Sequence, residues 1–324
     1  MGGMGTALTF KDTIEEQITE VEACLLEVVA SESEAMTELA THLLSSGKRV
    51  RPRLVLLCAD LFKPVGRAAV EVAASVELIH MASLIHDDII DHAHMRRERP
   101  SVNARWGNHL AVLAGDFLFS RAYQVLTRHV GYGVVPVITN AIGDMCIGEV
   151  EQARSLFDVA QTEEMYYRRI LGKTASLIRA SCKAGALIGQ GPEALIETVA
   201  YYGEQIGYAF QIIDDVLDFI PRASTGKSVG LDLLQGIITL PIILLLRDGS
   251  KGCKLKEAIR RRKSDDALWQ EACTQLEHTG CLSRARDRAK QHIFMAKQAL
   301  APIPDSSAKT SLLTLADELL ARSW

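Results

Sequence analysis

The sequence predicts an all-α protein, built as a single large helical bundle around a central cavity. Apolar residues recur at spacings of three and four along most of the chain, which is the period of a helix. Alternating strand patterns bounded by turns are scarce, and two long stretches are apolar almost all round, as in helices at the centre of a bundle. We therefore expect ten or more helices in one domain, residues 1–324, with residues 1–8 as a flexible tail.

The composition is that of an ordinary folded chain. The 324 residues include 36 Lys and Arg against 40 Asp and Glu, a net charge of −4, and 48% are hydrophobic. These values exclude collagen-like and disordered classes. A slightly acidic balance offers no basic footprint, so we expect no nucleic-acid partner.

Cysteine usage and hydropathy predict a cytoplasmic protein. The seven cysteines are scattered, odd in number and never in a CxxC spacing, which favours buried thiols in a reducing compartment. No secretory apolar segment opens the sequence. The longest apolar run, Ile237 to Leu246, is too short for the roughly 20 residues that span a bilayer.

The first and last helices each show one apolar face. After a predicted cap near Asp12, the face of the first helix comprises Ile14, Ile18, Val21, Leu25 and Val28. The last helix follows the break at Pro302 to Asp305 and repeats the pattern with Leu312, Leu315, Ala316 and Leu319. Between them, the stretches Ala68 to His92 and Ala194 to Phe219 are predicted to be buried helices.

Each of these two buried helices ends in an acidic DDxxD motif. The first is Asp87-Asp88-Ile89-Ile90-Asp91 and the second is Asp214-Asp215-Val216-Leu217-Asp218. Residues four apart lie on one helix face, so the outer carboxylates of each motif project together. A single motif of this kind is usually a solvated helix end. Two of them on apolar helices, where like charges repel and desolvation is costly, indicate a bound cation.

The donor set indicates which cation binds. Carboxylate oxygens without Cys or a His set suit Mg²⁺ or Mn²⁺ rather than Zn²⁺. Mg²⁺ usually takes only one or two carboxylates and completes its shell with water and phosphate. The candidate metal ligands are Asp87, Asp88, Asp91, Asp214, Asp215 and Asp218.

Basic clusters complement the acidic ones. They are the loop Gly47 to Arg53, the pair Arg96-Arg97, Lys173 within an apolar helix, and Lys227 after the second motif. Any one of them alone would be read as a surface charge. Together with Mg²⁺ they indicate a site for phosphate-bearing ligands, whose oxygens Arg and Lys bind directly.

These motifs resemble the trans-isoprenyl diphosphate synthases, and especially the large catalytic component of heptaprenyl diphosphate synthases. The resemblance extends from about Gly47 to Pro241, in the family's order and approximate spacing. Its segments are GKRVRP (47–52), ELIHMASLIHDDIIDHAHMRR (77–97), GEVEQ (148–152), KTA (173–175), QIIDDVLDF (211–219) and GKSVGLDLLQGIITLP (226–241).

The resemblance implies the isoprenoid synthase fold and a prenyltransferase. The implied reaction condenses isopentenyl diphosphate with an allylic diphosphate, farnesyl or geranylgeranyl, to give a product of medium or long chain such as heptaprenyl diphosphate. It implies three Mg²⁺ ions with substrate bound, with Mn²⁺ as a substitute. A homodimer, or a heteromer with a small regulatory subunit, is also implied, and the greasy product suggests transient membrane contact at release.

The resemblance also implies residue roles. In the first motif Asp87 and Asp91 match metal ligands; in the second, Asp214 matches the principal ligand and Asp218 one that acts through water. The allylic diphosphate site comprises Arg96, Lys173 and Lys227. The isopentenyl diphosphate site comprises Lys48, Arg51, His80 and Arg97. The polar groups near the developing carbocation are Thr174 and Gln211.

Product length depends on the helix that ends in the first motif. Ala82 and Ser83 lie one turn below that motif, where a bulky side chain would close the floor under the allylic tail. Both are small, so we expect an open floor, above a helical wall of about 26 Å from Val70 to Asp87 at 1.5 Å per residue. The alternative is that the two small residues only allow close helix packing.

Other functions fit the residues less well. Glu77-x-x-His80 matches half of a di-iron signature, but the second half is missing. A terpene cyclase would share only the first acidic motif. A shorter-chain synthase and a non-catalytic subunit of a heteromeric synthase stay open as alternatives. Two departures from the family pattern, Ile237 where many members have Lys and a loop 220–225 without their acidic residues, lie in the flap that closes over the diphosphate, and they leave its closure and the need for a partner subunit open.

Overall fold

The structure of the protein is a computed structural model. The structure describes residues 10–42, 44, 47–96, 99–220, 230–260, 272–276 and 278–321. Within these ranges the regular secondary structure is helical, apart from one pair of two-residue strands. The predicted all-α class is confirmed.

The helices and strands have these bounds. The helices are α1 Phe10–Val29, α2 Glu34–Thr41, α3 Val50–Asp60, α4 Arg67–Ile90, α5 Val102–Leu126, α6 Val134–Arg154, α7 Glu163–Ile170, α8 Ser176–Ile188, α9 Glu193–Leu217, α10 Leu231–Leu234, α11 Leu240–Leu246, α12 Gly249–Arg260, α13 Cys281–Ala299 and α14 Ser307–Ala321. A 3₁₀ turn covers Thr127–Tyr132 and a π-helical turn covers Leu171–Ala175. The strands β1 Met95–Arg96 and β2 Arg99–Pro100 are antiparallel.

The chain forms two compact units rather than one continuous cluster of contacts. The first unit contains the described residues of Met1–Thr139, Ala180–Val199 and Ile303–Leu312; the second contains those of Asn140–Arg179, Ala200–Pro302 and Leu313–Trp324. The first acidic motif therefore belongs to the first unit and the second motif to the second unit. The organisation as one domain stays a prediction.

Helix α1 begins earlier than the sequence suggested. The cap was expected near Asp12, but the helix starts by Phe10, so that expectation is wrong. The predicted face is buried at Ile14, Ile18, Val21 and Leu25. Val29 rather than Val28 completes it, because Val28 is only half-buried.

Helix α4 forms the core of the first unit and packs against α1, α3 and α5. It is the one described helix long and apolar enough to cross a membrane, but 78% of its apolar window is buried in the protein. This burial identifies α4 as a core helix. Its predicted role as an apolar wall that ends in carboxylates is therefore compatible with the packing.

In the second unit, helix α11 is buried along its whole length and packs against α7, α12 and α13. Helix α7 is capped by Thr162, whose hydroxyl accepts a hydrogen bond from the Met165 N–H at 3.2 Å. The π-helical turn follows α7 directly and leads into α8. This connection places Lys173 and Thr174 on the turn.

Candidate active site

The first acidic motif lies on the last turn of α4. Asp87 is half-buried, Asp88 is buried with 1% exposure, and Asp91 is the exposed C-cap residue. The Asp91 N–H donates to the Asp87 carbonyl at 2.8 Å, so the turn stays helical through the motif. The outer carboxylates therefore reach towards solvent, while the middle one points into the protein.

Asp88 is held by the hairpin that follows α4. The β1–β2 hairpin brings Arg96 back along the chain, and its Nε donates to Asp88 Oδ1 at 2.8 Å, with Nη2 donating to the same atom. Asn103 Nδ2 donates to the Asp88 carbonyl at 3.2 Å. Asp88 Oδ2 is buried and has no hydrogen-bond partner among the described residues. A buried, unsatisfied carboxylate oxygen is costly, which favours a cation or donor nearby.

The cationic loop is fixed by a buried ion pair. Arg49 has a left-handed backbone (φ +49°), an uncommon conformation for a residue other than glycine. Its Nη1 donates to Glu77 Oε1 at 3.0 Å, and both side chains are at most 5% exposed. Lys48 is exposed and Arg51 half-buried on either side of this anchor. The pair thus holds two predicted isopentenyl diphosphate ligands at the start of α3.

The remaining predicted ligands of isopentenyl diphosphate are His80 and Arg97. His80 is half-buried on α4, one turn after Glu77, so it lies in the same unit as the cationic loop. Arg97 lies outside the described residues, as does Lys227 of the allylic site.

The second acidic motif ends α9 with the same division of its carboxylates. Asp214 is exposed, whereas Asp215 is 2% exposed. Tyr166 Oη donates to Asp215 Oδ2 at 2.6 Å, and Gln211 Nε2 donates to Asp215 Oδ1 at 2.8 Å. Both oxygens of Asp215 are therefore engaged by side-chain donors.

Asp218 caps the short helix α10. The backbone N–H groups of Leu231 and Asp232 donate to its carboxylate at 3.1 and 3.3 Å, and the Gly230 N–H donates to its carbonyl at 2.6 Å. The Asp218 N–H in turn donates to the Asp214 carbonyl at 3.0 Å. These bonds attach the end of α9 to the segment that begins α10.

Burial changes the protonation of the second motif. Desolvation raises the pKa of Asp215 to about 8 and that of Asp218 to about 7, and the negative charge of Asp232 adds to both increases. The hydrogen bonds from Tyr166 and Gln211 oppose the increase at Asp215. A divalent cation beside these carboxyl groups would favour their ionised form and oppose both increases.

Lys173 is positioned by a close contact between α6 and the π-helical turn. Its Nζ lies 2.7 Å from Glu149 Oε2, and Gln152 Nε2 donates to Glu149 Oε1 at 3.3 Å. A Cβ atom on Gly148 would lie 2.6 Å from the Lys173 backbone nitrogen, and one on Gly172 would lie 3.0 Å from the Gly148 Cα. Only glycine fits at both positions, and this close approach lets the ion pair form.

Thr174 and Gln211, the predicted carbocation pair, are in direct contact. Thr174 Oγ1 donates to Gln211 Oε1 at 2.7 Å. Since Gln211 also donates to Asp215, a chain of hydrogen bonds runs from the π-helical turn to the second acidic motif and on to Tyr166. The structure thus places both residues beside the acidic motif of their unit.

The two predicted chain-length residues differ in accessibility. Ala82 is completely buried. Ser83 is only half-buried, and its hydroxyl donates to the His80 carbonyl at 2.8 Å. Of the two, Ser83 is the residue whose enlargement would change an accessible surface.

The residues present fit a metal that arrives with its ligand. Among the described residues, no group of three or more His, Cys, Asp and Glu side chains converges on one point. Mg²⁺ is usually bound through one or two carboxylates together with substrate phosphates. The outer carboxylates Asp87, Asp91 and Asp214 lie at least partly in solvent and offer oxygen donors only.

Several residues that shape the site were missed by the sequence reasoning. Glu149, Arg49 and Glu77 lie inside the quoted motifs, and an unexplained charge beside a predicted ligand could have signalled them. Tyr166 lies outside every motif, 49 positions before its partner Asp215. No local pattern marks such a pair.

Comparison with known proteins identifies relatives along almost the whole chain. The family described as polyprenyl synthetase matches residues 33–276. Heptaprenyl diphosphate synthase component 2 of Geobacillus stearothermophilus is 36% identical over 307 residues, which are 94% of this chain and 95% of that protein.

Solved structures agree with this assignment. Decaprenyl diphosphate synthase from Rhodobacter capsulatus superposes with a TM-score of 0.91 at 35% identity, covering 96% of this chain and 97% of the other. Polyprenyl synthase from Caulobacter crescentus CB15, complexed with calcium and isoprenyl diphosphate, gives a TM-score of 0.90 at 32% identity and 96% coverage of each chain. The predicted fold and the family resemblance are confirmed.

Proposed function

Because the chain belongs to the polyprenyl synthetase family, whose members are prenyltransferases, we propose that it is a Mg²⁺-dependent trans-polyprenyl diphosphate synthase. It condenses isopentenyl diphosphate with farnesyl or geranylgeranyl diphosphate. The observation that carries the proposal is the pair of intact acidic motifs, each at the end of a long helix and each with an exposed outer aspartate, Asp91 in the first and Asp214 in the second.

The outer carboxylates are the groups that would hold the divalent ions. They are Asp87, Asp91 and Asp214, with Asp218 acting through water. When bound, Mg²⁺ neutralises charge that accumulates on the leaving diphosphate. The calcium in the Caulobacter crescentus structure supports a divalent cation in this fold.

The chain's own cations bind the two diphosphates. Lys173, Arg96 and Lys227 hold oxygens of the allylic diphosphate, where negative charge increases as its C–O bond breaks and the electron pair leaves with the diphosphate. Lys48, Arg51, His80 and Arg97 hold isopentenyl diphosphate. Cations bound to each diphosphate offset the repulsion between the two polyanions.

The new bond forms without a protein nucleophile. The double bond of isopentenyl diphosphate supplies the electron pair that attacks the allylic carbon, and the departed diphosphate accepts the proton that is lost. Thr174 and Gln211 present oxygen dipoles to the cation, in the orientation fixed by their 2.7 Å hydrogen bond. Apolar walls exclude water that would otherwise capture the cation.

Product length is the specific part of the proposal. Relatives of nearly equal identity are named for a heptaprenyl and a decaprenyl product, so identity alone does not define the length. The small side chains Ala82 and Ser83 favour a medium or long product, such as heptaprenyl diphosphate. A shorter-chain synthase is the second candidate, because Ala82 is fully buried and adds no open space.

The assembly is proposed from the relatives. The name of the Geobacillus stearothermophilus protein, component 2, indicates a partner component for that enzyme. We accordingly propose that this chain acts as a homodimer or as the large subunit beside a small regulatory one. It would work in the cytoplasm and release its product to the membrane.

Incubation of the purified protein with farnesyl diphosphate, labelled isopentenyl diphosphate and Mg²⁺ tests the function. We expect labelled product that extracts into solvent and whose size, after dephosphorylation, gives the chain length. Asp87→Asn should abolish it, whereas Asp305→Asn, a change at a fully exposed carboxylate, should not. Absence of condensation, alone and with an added small subunit, would exclude the activity and leave a non-catalytic role.

A further inference from the structure

Tyr166 carries a buried hydroxyl to which the proposed mechanism assigns no role. The residue lies on α7, has no accessible surface, and donates to Asp215 Oδ2 at 2.6 Å. At this distance the bond is shorter than one between two neutral groups, and hydrogen bonds from a hydroxyl to a carboxylate are correspondingly strong. The bond therefore connects α7 firmly to the last turn of α9.

The Tyr166 ring is itself held in place. The Arg169 guanidinium carbon lies 5.6 Å from the ring centroid, and Arg169 is buried. Arg169 donates to Gln161 Oε1 at 2.9 Å and to the Ile238 carbonyl at 2.7 Å, so it cannot move away from the ring. The Tyr167 ring also packs edge-on against it, with the ring centroids 5.5 Å apart. The hydroxyl consequently has one fixed direction.

Asp215 is fixed on both of its oxygens. Gln211 donates to the oxygen that Tyr166 does not use, and Thr174 fixes Gln211 in turn. A carboxylate held by two donors on different elements cannot rotate without breaking one of the bonds. Its neighbours Asp214 and Asp218 share the same helical turn, so their directions depend on how Asp215 is held.

We propose that Tyr166 is a positioning residue for the second acidic motif: by clamping Asp215 it orients the last turn of α9 so that Asp214 and Asp218 meet a divalent cation. The inference rests on the proposed function, since the cation is the one that accompanies the allylic diphosphate. Removing a group that orients a metal ligand typically weakens metal affinity by about 10- to 100-fold.

Tyr166→Phe, compared with Tyr202→Phe, tests the proposal. Tyr202 is an equally buried tyrosine on α9, about three turns before the motif, so its variant controls for the loss of a buried hydroxyl.

Two quantities are measured: the Mg²⁺ concentration for half-maximal condensation, and the Mn²⁺ dissociation constant by electron paramagnetic resonance with inorganic pyrophosphate present. We expect Tyr166→Phe to raise the half-maximal Mg²⁺ concentration and the Mn²⁺ dissociation constant about tenfold each, with most of kcat recovered at saturating metal. Tyr202→Phe should leave both unchanged.

The two readouts separate this inference from the proposed function. If the wild-type protein binds Mn²⁺ but does not condense substrates, the proposed function fails, while a weaker Mn²⁺ affinity in Tyr166→Phe still supports the clamp. Equal metal dependence in the two tyrosine variants overturns the clamp, whatever the wild-type activity. Should Tyr166→Phe not fold, a second variant, Gln161→Leu, removes one of the two acceptors that hold Arg169 against the ring, and it is expected to shift the metal dependence in the same direction. No shift there would also contradict the proposal.

Discussion

Asp88 and Asp215 occupy equivalent positions in the two acidic motifs, and each is buried against donors from the protein. Arg96 holds the first, and Tyr166 with Gln211 holds the second. The sequence shows two groups of three aspartates with the same spacing. That spacing predicts which residues of each group share a helical turn. It could not distinguish outer from middle carboxylates, since the distinction depends on partners from distant parts of the chain.

At the residue scale, Lys173→Ala should weaken binding of the allylic diphosphate selectively. Removing a charged hydrogen-bond donor usually costs about 1.5–3 kcal/mol, which is roughly 10- to 100-fold in affinity. We expect kcat/KM for farnesyl diphosphate to fall by about that factor, and the KM for isopentenyl diphosphate to change little. Steady-state kinetics with each substrate varied in turn measures both.

Lys183→Ala is the matched control for this variant. Lys183 is about as exposed as Lys173 and is likewise paired with a glutamate, Glu197. Its removal should change neither constant. An equal effect of the two variants, or a Lys173→Ala enzyme with wild-type kinetics, would remove Lys173 from the diphosphate site.

The floor of the proposed product tunnel can be tested at Ser83. Ser83→Phe should shorten the product while turnover continues, because the half-buried Ser83 side chain borders accessible space. Ala82→Phe should instead lower the melting temperature, since overpacking a completely buried position costs about 1–3 kcal/mol. Chromatography of the dephosphorylated products, together with thermal melts, distinguishes the two. An unchanged product distribution in Ser83→Phe would reject the open floor.

At the element scale, the π-helical turn is the feature that the sequence pattern concealed. Lys173 and Thr174 were placed in an apolar helix, and the structure places them on a π-helical turn between α7 and α8. A π-helical turn adds one residue to an α-helical turn, and here it covers only the five residues Leu171–Ala175. A single extra residue in such a turn therefore leaves no periodic signal, although these turns often occur at functional sites. Gly172 is the residue of this turn whose type could have indicated a close backbone contact.

Gly148→Ala tests whether this turn depends on its contact with α6. The added methyl group would meet the Lys173 backbone nitrogen at 2.6 Å, so the two elements must separate and the Glu149–Lys173 pair must stretch. We expect a loss of about 1–3 kcal/mol in the free energy of unfolding and a lower kcat/KM for the allylic substrate.

Gly143→Ala, on the same helix, is the control. A Cβ atom there would have no neighbour within 4 Å, so replacing glycine inside a helix should raise stability by about 0.5–1 kcal/mol without affecting activity. Urea unfolding and kinetics of both variants settle the point. A Gly148→Ala protein as stable and active as Gly143→Ala would show that the close contact is dispensable.

At the scale of the whole molecule, His292 makes stability depend on pH. Burial, assisted by the positive charge of Arg288, lowers the pKa of His292 from 6.5 to about 4. The ring contacts Gln205 Oε1 at 2.7 Å and Tyr167 Oη at 3.3 Å. The unfolded chain takes up this proton near pH 6.5, whereas the folded protein does so only near pH 4. Stability is therefore full above pH 6.5 and declines as the pH falls towards 4.

The expected loss over this interval is about 2 kcal/mol, reduced from the full linkage value because His292 is partly solvated. His292→Gln should flatten the pH dependence between 6.5 and 4.5 relative to wild type, and urea unfolding at several pH values measures the difference. Parallel curves for the two proteins would show that His292 titrates normally in the folded state.

Much of the whole molecule was predictable from local patterns. The buried helices α4 and α9, the terminal helices and both acidic motifs were found from apolar spacing and from charges that interrupt it. The division into two compact units was not, because each unit is assembled from segments separated in the chain, such as 1–139 with 180–199. The Tyr166–Asp215 hydrogen bond could not be predicted from local patterns either, because its two residues are 49 positions apart in the chain.

The dependence of condensation on divalent metal tests the central claim most directly. After EDTA treatment, incorporation of labelled isopentenyl diphosphate is measured across Mg²⁺ concentrations for the wild type and for Asp214→Asn. We expect no product without metal, full recovery with Mg²⁺, and a rate about 10²- to 10³-fold lower in the variant at saturating Mg²⁺. Condensation that continues in EDTA, or an Asp214→Asn enzyme with the wild-type rate and metal dependence, would contradict a reaction driven by carboxylate-bound metal.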